Sequence, residues 1–375
     1  MKLYSLKIVF LLFACHVAPG QSSTIAWQEK VVIRDVPVFE GSRGKYGSEY
    51  ARMLQLDKKS WLISYTVPSP QLEANKDHRL QLQIARSSDR GRSWTQVSGI
   101  TDAGRDLDNA QMIRLPDKSI LLACRSVRWR ESYRLPVYRS TDNGKSWSEL
   151  STIDASEGKP GELGEPDKGV YEPHFYFLDD GRLAVMYANE KHVTDNVSYS
   201  QIISQKVSAD GGKTWGKEIW VAYETGRNAS RPGMPVWTKM KNGKYIAVYE
   251  VCGPEKCNIF YKISNDGFTW PVGLGTPIPD QLGGPYILSL TDGQLVVTSN
   301  QGNFSISDDY GQSWHKTERA WEHKQPFEKI WYQTYWPSLY QTGKNEIGAI
   351  TSVLRDEGGH NVQIRFGKIS QRIKK

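Results

Sequence analysis

The chain is 375 residues long, 38% hydrophobic and 24% charged, with 13 Trp, 19 Tyr, 33 Gly and a formal charge of +7. From residue 27 onward it carries no sustained helical period and no long apolar run, which excludes a helical domain and a transmembrane span from that region. No block of Lys and Arg is interleaved with aromatics, so the mild basic excess reads as a solvated surface and nucleic-acid binding is not expected.

At the N-terminus, Lys2 and Lys7 precede an apolar stretch around Ile8 to Ala14, and Ala18-Pro19-Gly20 sets small residues before a cut ahead of Gln21. Residues 1–20 are expected to be a signal peptide, leaving residues 21–375 secreted or periplasmic. A rival reading takes Leu12-Phe13-Ala14-Cys15 as a lipoprotein box, although Phe13 is bulky for its slot. Loss of the leader removes two lysines and lowers the formal charge from +7 to +5.

The segment from Trp27 is a lone strand with no local partner. Six hairpins follow, starting at Tyr50, Asn109, Tyr171, Gly233, Gly284 and Tyr335, each with a short reversal between its strands. The first five run through a third strand into a repeated turn of the form S-x-D-x-G-x-x-W. These are Ser87–Trp94, Ser140–Trp147, Ser208–Trp215, the one-residue-shorter Ser264–Trp270, and Ser307–Trp314, with their Asp residues 43 to 68 positions apart. In each, Asp caps a tight turn through backbone N–H groups, Gly supplies a positive φ, and Trp folds back as an apolar plug. A calcium loop would need more oxygen ligands than this pattern offers.

The sixth hairpin leads to a strand from Val362 that ends without such a turn. Pairing the lone N-terminal strand with this incomplete blade would close a ring and remove the exposed edges, so the pattern predicts an all-β, six-bladed β-propeller over residues 21–375. A closed ring demands no partner, and a monomer is expected. Cys124 sits within an apolar strand and reads as a buried inert thiol. Cys252 and Cys257 flank a hairpin end, where a disulfide and two free thiols both stay open. No metal-ligand spacing appears, and no metal or cofactor is expected.

In a propeller, every innermost strand starts at the same mouth of the central channel, and the antiparallel second strand ends there. The starts bring Tyr50, Arg52, Asn109, Tyr171, Glu172, Arg231, Tyr335 and Trp336 to that mouth, and the ends bring Glu190 and Glu250. Three glutamates from two adjacent blades thus converge, framed by Tyr, Trp and Arg. Carboxylates gathered in this way repel one another and resist desolvation unless Arg pairs them or chemistry uses them. Two beside an aromatic platform make the constellation of a glycosidase, with Glu190 the most readily explained as a strut because Asn189 and Lys191 offer it polar partners.

The five turns are similar to the Asp boxes, or BNR repeats, of the sialidase-like propeller superfamily, which specify fold alone. The stretches Tyr171 to Glu190 and Ser230 to Glu250 resemble the exo-1,5-α-L-arabinanase family of secreted six-bladed propellers, which cut arabinan from its non-reducing end with retention. The likeness spans most of the mature chain and is sharp in blades three and four. It implies that Glu172 and Glu250 carry the catalysis, with their individual roles open and Glu190 as a supporting or alternative carboxylate. Tyr50, Asn109, Tyr171, Tyr335 and Trp336 would then bind a neutral oligo- or polysaccharide, Arg231 would assist, and Arg52 would bond sugar hydroxyls or hold a glutamate ionised.

Two other readings stand beside this one. A sialidase clamps its substrate carboxylate with three Arg residues. Arg52 fits the first, but blade five offers Gly283, Gly284, Tyr286, Asn300 and Gln301 where a triad Arg is needed, and Arg125 and Arg231 lie on other blades. A non-catalytic glycan-binding propeller would keep the aromatic mouth and use the glutamates as hydrogen-bond acceptors.

Overall fold

The computed structural model describes residues 23–37, 39–41, 44–69, 80–226 and 228–370. The expected signal peptide and Cys15 lie outside the described residues. Six sheets form the blades of a β-propeller, with innermost strands Glu49–Gln55, Asp106–Arg114, Val170–Phe177, Arg231–Lys239, Tyr286–Ser289 and Thr334–Gly343. Each blade is an antiparallel meander running outward from the axis.

The second strands read as apolar runs because neighbouring blades cover both of their faces. Trp61–Pro68 and Leu183–Asn189 are buried at every residue. The core is therefore the set of seams between blades, such as the one where Tyr176 of blade three meets Trp237 and Tyr245 of blade four, tilted and edge to face.

The ring closes as the sequence predicts, with a refinement. The N-terminal segment is two short strands, Ile25–Trp27 and Val31–Arg34, and both pair with His360–Ile369 as the outer layer of blade six. The interruption is a local register shift, bridged by a hydrogen bond from Gln28 N–H to the Phe366 carbonyl. Trp27 then lies 4.8 Å from Phe304 of blade five, so the closing strand also seals a seam.

The repeated turns clasp adjacent blades together. In the first, Asp89 accepts the N–H groups of Arg92 and Ser93 and the Ser93 hydroxyl, while Ser87 accepts the Gly91 N–H. These bonds hold the Asp89 carboxyl down at about 2. In the third, a Cβ on Gly212, where φ is +86°, would lie 2.8 Å from Leu121 of the preceding blade. Ser151 of that blade donates to the Gly212 carbonyl and accepts the Trp215 indole N–H. The Asp carboxylates are thus spent on their own turns.

A six-fold feature that the hairpin reading overlooks sets the mouth. Near its start each inner strand carries a left-handed residue followed by Ala or Pro: Tyr50-Ala51, Asn109-Ala110, Glu172-Pro173, Met234-Pro235, Gly284-Pro285 and Trp336-Pro337. In blades one, two, three, four and six the ladder slips by one residue at this point, so the pair opposes a single residue of the second strand. In blade five the Gly283 carbonyl accepts Asn300 N–H while Tyr286 pairs with Thr298, which leaves the same excess. Such bulges re-aim side chains and free backbone N–H groups. Holding a non-glycine residue left-handed costs about 1–2 kcal/mol, so five such residues at one mouth mark strain concentrated where function is expected.

Candidate active site

The freed N–H groups decide where the carboxylates sit. Met234 N–H donates to Glu172 Oε2 at 2.6 Å, and Gly284 N–H donates to Glu250 Oε2 at 2.6 Å. Trp336 N–H goes to Asn300 at 2.8 Å and Tyr50 N–H to Ser352 at 3.1 Å. In each case a side chain of one blade is fastened to the bulge of the next, which joins the blades at the reactive end of the ring.

Glu172 and Glu250 flank Gly233. A Cβ built there would lie 3.6 Å from Glu172 Oε2 and 3.8 Å from Glu250 Oε1, so these oxygens are at most about 7.4 Å apart, the sum of the two distances. Burial and the neighbouring Glu250 charge push the Glu172 carboxyl up to about 8. Burial also raises Glu250, but the Gly284 N–H and the Arg231 charge oppose it. Burial and mutual repulsion therefore favour one proton held between the two carboxylates, with the Gly284 N–H and the Arg231 charge supporting the ionised form on the Glu250 side.

Glu190 has a different environment. It is 2% exposed, with Oε1 on the Arg231 guanidinium and Oε2 accepting Gly169 N–H at 3.1 Å and the Tyr171 hydroxyl at 3.0 Å. The partners expected from its sequence neighbours belong elsewhere: Asn189 bonds Ser204 and Glu218, and Lys191 pairs with Asp154. The strand ends at Asn189 and Lys191 opens a 3-10 turn, so those side chains point elsewhere, and Arg231 arrives instead from the next blade. Tyr171 thus spends its hydroxyl on Glu190 and lays its ring edge-on to Tyr133.

Arg52 is 2% exposed and forms no carboxylate ion pair among the described residues, contrary to the expectation that it could hold a glutamate ionised. Its Nη1 donates to the Ala51 and Trp336 carbonyls, and its guanidinium lies 4.1 Å from the Tyr50 ring centroid and 5.3 Å from that of Tyr286. The strand's bulge turns this side chain inward to the axis. Tyr286 also meets His174 at 6.0 Å, so residues from blades one, three and five touch across the channel. Each of the three lies two residues beyond the left-handed residue of its strand, one layer deeper than the bulges. His174, which sequence reasoning missed, is buried with neither ring nitrogen bonded, and burial pushes it down to about 3.

The remaining predicted residues line the wall. The Tyr335 and Trp336 rings lie 3.9 Å apart and tilted, and Trp336 meets Tyr50 edge-on at 5.6 Å. Asn109 is buried at its bulge, with its N–H on Asp108 and its side-chain oxygen unpartnered. Asp108 accepts Arg125 at 3.0 Å and the Thr66 hydroxyl at 2.6 Å. Cys252 and Cys257 form a disulfide, and Cys124 is a buried free thiol. Among the described residues no three His, Cys, Asp or Glu side chains are grouped to hold a metal ion.

The BNR repeat-like domain family matches residues 17–242, more than half of the chain. This chain belongs to that family. The BNR-repeat protein also resembles solved enzymes in fold. A GH93 α-L-arabinofuranosidase of Fusarium graminearum in complex with arabinobiose is 21% identical with a TM-score of 0.72, over 91% of this chain and 98% of that one. An α-L-arabinanase of Penicillium chrysogenum, also complexed with arabinobiose, is 22% identical with a TM-score of 0.70, over 90% and 98%. The NanB sialidase of Streptococcus pneumoniae is 9% identical with a TM-score of 0.60, over 90% and 70%. No curated protein matches the sequence.

Proposed function

We propose that this BNR-repeat protein is a secreted, exo-acting, retaining glycoside hydrolase that releases short products from α-1,5-linked arabinan. The observation that carries the reading is the Glu172–Glu250 pair, two carboxylates astride one glycine with their proton affinities set apart by their surroundings. The oxygen-to-oxygen limit of about 7.4 Å set by Gly233 accommodates the ~5–5.5 Å spacing of a retaining pair.

The chemistry follows from the two environments. Glu250, anchored through Oε2, presents Oε1 toward Gly233 and attacks the anomeric carbon. Glu172 gives its proton to the departing glycosidic oxygen as that bond breaks. In the second step the Glu172 carboxylate takes a proton from water, the water oxygen bonds to the anomeric carbon, and Glu250 leaves as a carboxylate. The contacts of Arg52, Tyr286 and His174 across the channel narrow the way past the carboxylates, which favours action from a chain end.

The disposition of arginines favours a neutral sugar over sialic acid. Arg125 is engaged by Asp108, Arg231 by Glu190, and Arg52 by two carbonyls and two aromatic rings. None stands ready for a planar three-arginine clamp, and the wall offers Tyr335, Trp336 and Tyr50. The structural neighbours that hold arabinobiose point the same way.

The test is product analysis on linear arabinan beside sialic acid release from sialyllactose, with NMR of the first-formed anomer. Short arabino-oligosaccharides of retained configuration support the proposal. Sialic acid release without attack on arabinan reverses the substrate, and glycan binding without turnover makes the protein a lectin-like propeller.

A further inference from the structure

The segment that leads into the inner strand of blade six carries an exposed tryptophan. Trp331 is 53% exposed and its neighbour Tyr332 39%, the two exposed aromatic side chains among the described residues. A single exposed aromatic is ordinary on a protein surface, so what distinguishes this ring is what it touches.

Two observations tie this ring to the funnel. First, the contacts are continuous: Trp331 meets Tyr335 edge-on at 5.7 Å, Tyr335 lies tilted against Trp336 at 3.9 Å, and Trp336 meets Tyr50 at 5.6 Å above Arg52. Second, the segment is braced although its surface is exposed. Gln333, 7% exposed, accepts Gln325 N–H and donates to the Gln325 and Ile330 carbonyls, while its own carbonyl accepts Leu354 N–H. His360 lies between Glu49 Oε1 and the Tyr332 carbonyl, 2.9 Å from each. A ring held this way before any ligand arrives loses little entropy when a ligand covers it.

We propose that Trp331, backed by Tyr335, is a distal sugar subsite on blade six that takes the part of the glycan chain emerging from the funnel, beyond the bond that is cut. The occupant is a neutral saccharide, whose C–H face lies on the indole while its hydroxyls stay in water. The inference rests on the glycan-hydrolase reading and adds the path of the chain: it leaves over blade six, away from the Glu190–Arg231 pair at blades three and four.

The experiment compares Trp331→Ala and Trp331→Phe with the wild type on linear arabinan and on an aryl arabinoside that fills only the funnel. The expected result is that the ratio of polymer to aryl-substrate kcat/KM falls about tenfold in Trp331→Ala, mainly through KM, and is largely restored in Trp331→Phe. An unchanged ratio overturns the subsite, whether both rates hold or both fall together. A dimer that disappears on gel filtration of Trp331→Ala also overturns it, by making the ring a contact between copies. If the wild type cuts neither substrate, the arabinan reading fails separately. Affinity electrophoresis through a panel of soluble neutral polysaccharides then decides the subsite, with retardation lost in Trp331→Ala supporting it and equal or absent retardation overturning it.

Discussion

Glu172 and Glu250 come from adjacent blades and approach the same point above Gly233, each fixed by an N–H from the bulge of the next blade. The pair is thus set by backbone geometry, and its precision depends on the ring of bulges staying in register. Gly233 itself lies outside the left-handed region, so its value is space.

Gly233→Ala tests that space. The new methyl would come within 2.8 Å of Gln201 Nε2, which is bonded to the Pro232 carbonyl, and would stand between the two carboxylates. The expected outcome is a fall in kcat/KM of about 10²-fold or more with a melting temperature within a few degrees of wild type. Steady-state kinetics beside a thermal melt check it, and wild-type turnover would remove Gly233 from the site.

The glutamates should separate by role. Glu172→Gln is expected to lower kcat on arabinan by about 10²–10⁴, and by less on an aryl arabinoside whose leaving group needs little protonation. Glu250→Gln should lower both rates alike, because the attacking carboxylate serves every substrate. Glu190→Gln should cost less than either, since Glu190 is already committed to Arg231, Gly169 and Tyr171. A larger loss at Glu190 than at Glu172 would make Glu190 the partner of Glu250.

The blade count and the closing strand were legible because hairpin period and repeated turns are local signals, and so was the gathering of Glu172, Glu190 and Glu250 at one mouth. What each glutamate touches was not. Arg231 reaches Glu190 from 41 residues away, and Met234 N–H reaches Glu172 from 62. Such pairings depend on how one blade abuts the next, which no local pattern encodes. The bulges were readable in principle: the six inner strands align on a residue followed by Ala or Pro, and Pro cannot continue a central ladder. His174 and Trp331 carried no signal, since a lone His or an unpaired Trp has no periodicity to betray it.

The pH dependence follows from the two shifts. Activity should rise as Glu250 ionises and fall as Glu172 loses its proton near pH 8, giving a bell whose limbs belong to the coupled pair. With the aryl arabinoside, Glu172→Gln should abolish the alkaline limb. Stability carries the opposite test of sign. The folded Glu172 carboxyl binds its proton more tightly than the ordinary 4.5, so between that value and about 8 the folded state holds more protons than the unfolded state. Its contribution is present at low pH and is lost as pH rises through that window, and Glu172→Gln should flatten this part of a melting-temperature profile.

The disulfide supplies the last prediction. Cys252 lies two residues beyond Glu250 on the same strand, and the carbonyl of its partner Cys257 accepts Gly283 N–H at 2.9 Å. The next residue, Gly284, gives its N–H to Glu250. The crosslink therefore fixes the loop that positions the donor which favours the ionised form of Glu250. Reduction, or the double change Cys252→Ser with Cys257→Ser, should let Gly283-Gly284 drift and weaken that bond. Glu250 would then ionise at higher pH, moving the acid limb of the rate profile upward and lowering kcat about tenfold near neutrality. A purely structural crosslink would lower the melting temperature and leave the acid limb where it was. The pH profile of the double variant, measured below its melting transition, decides between the two.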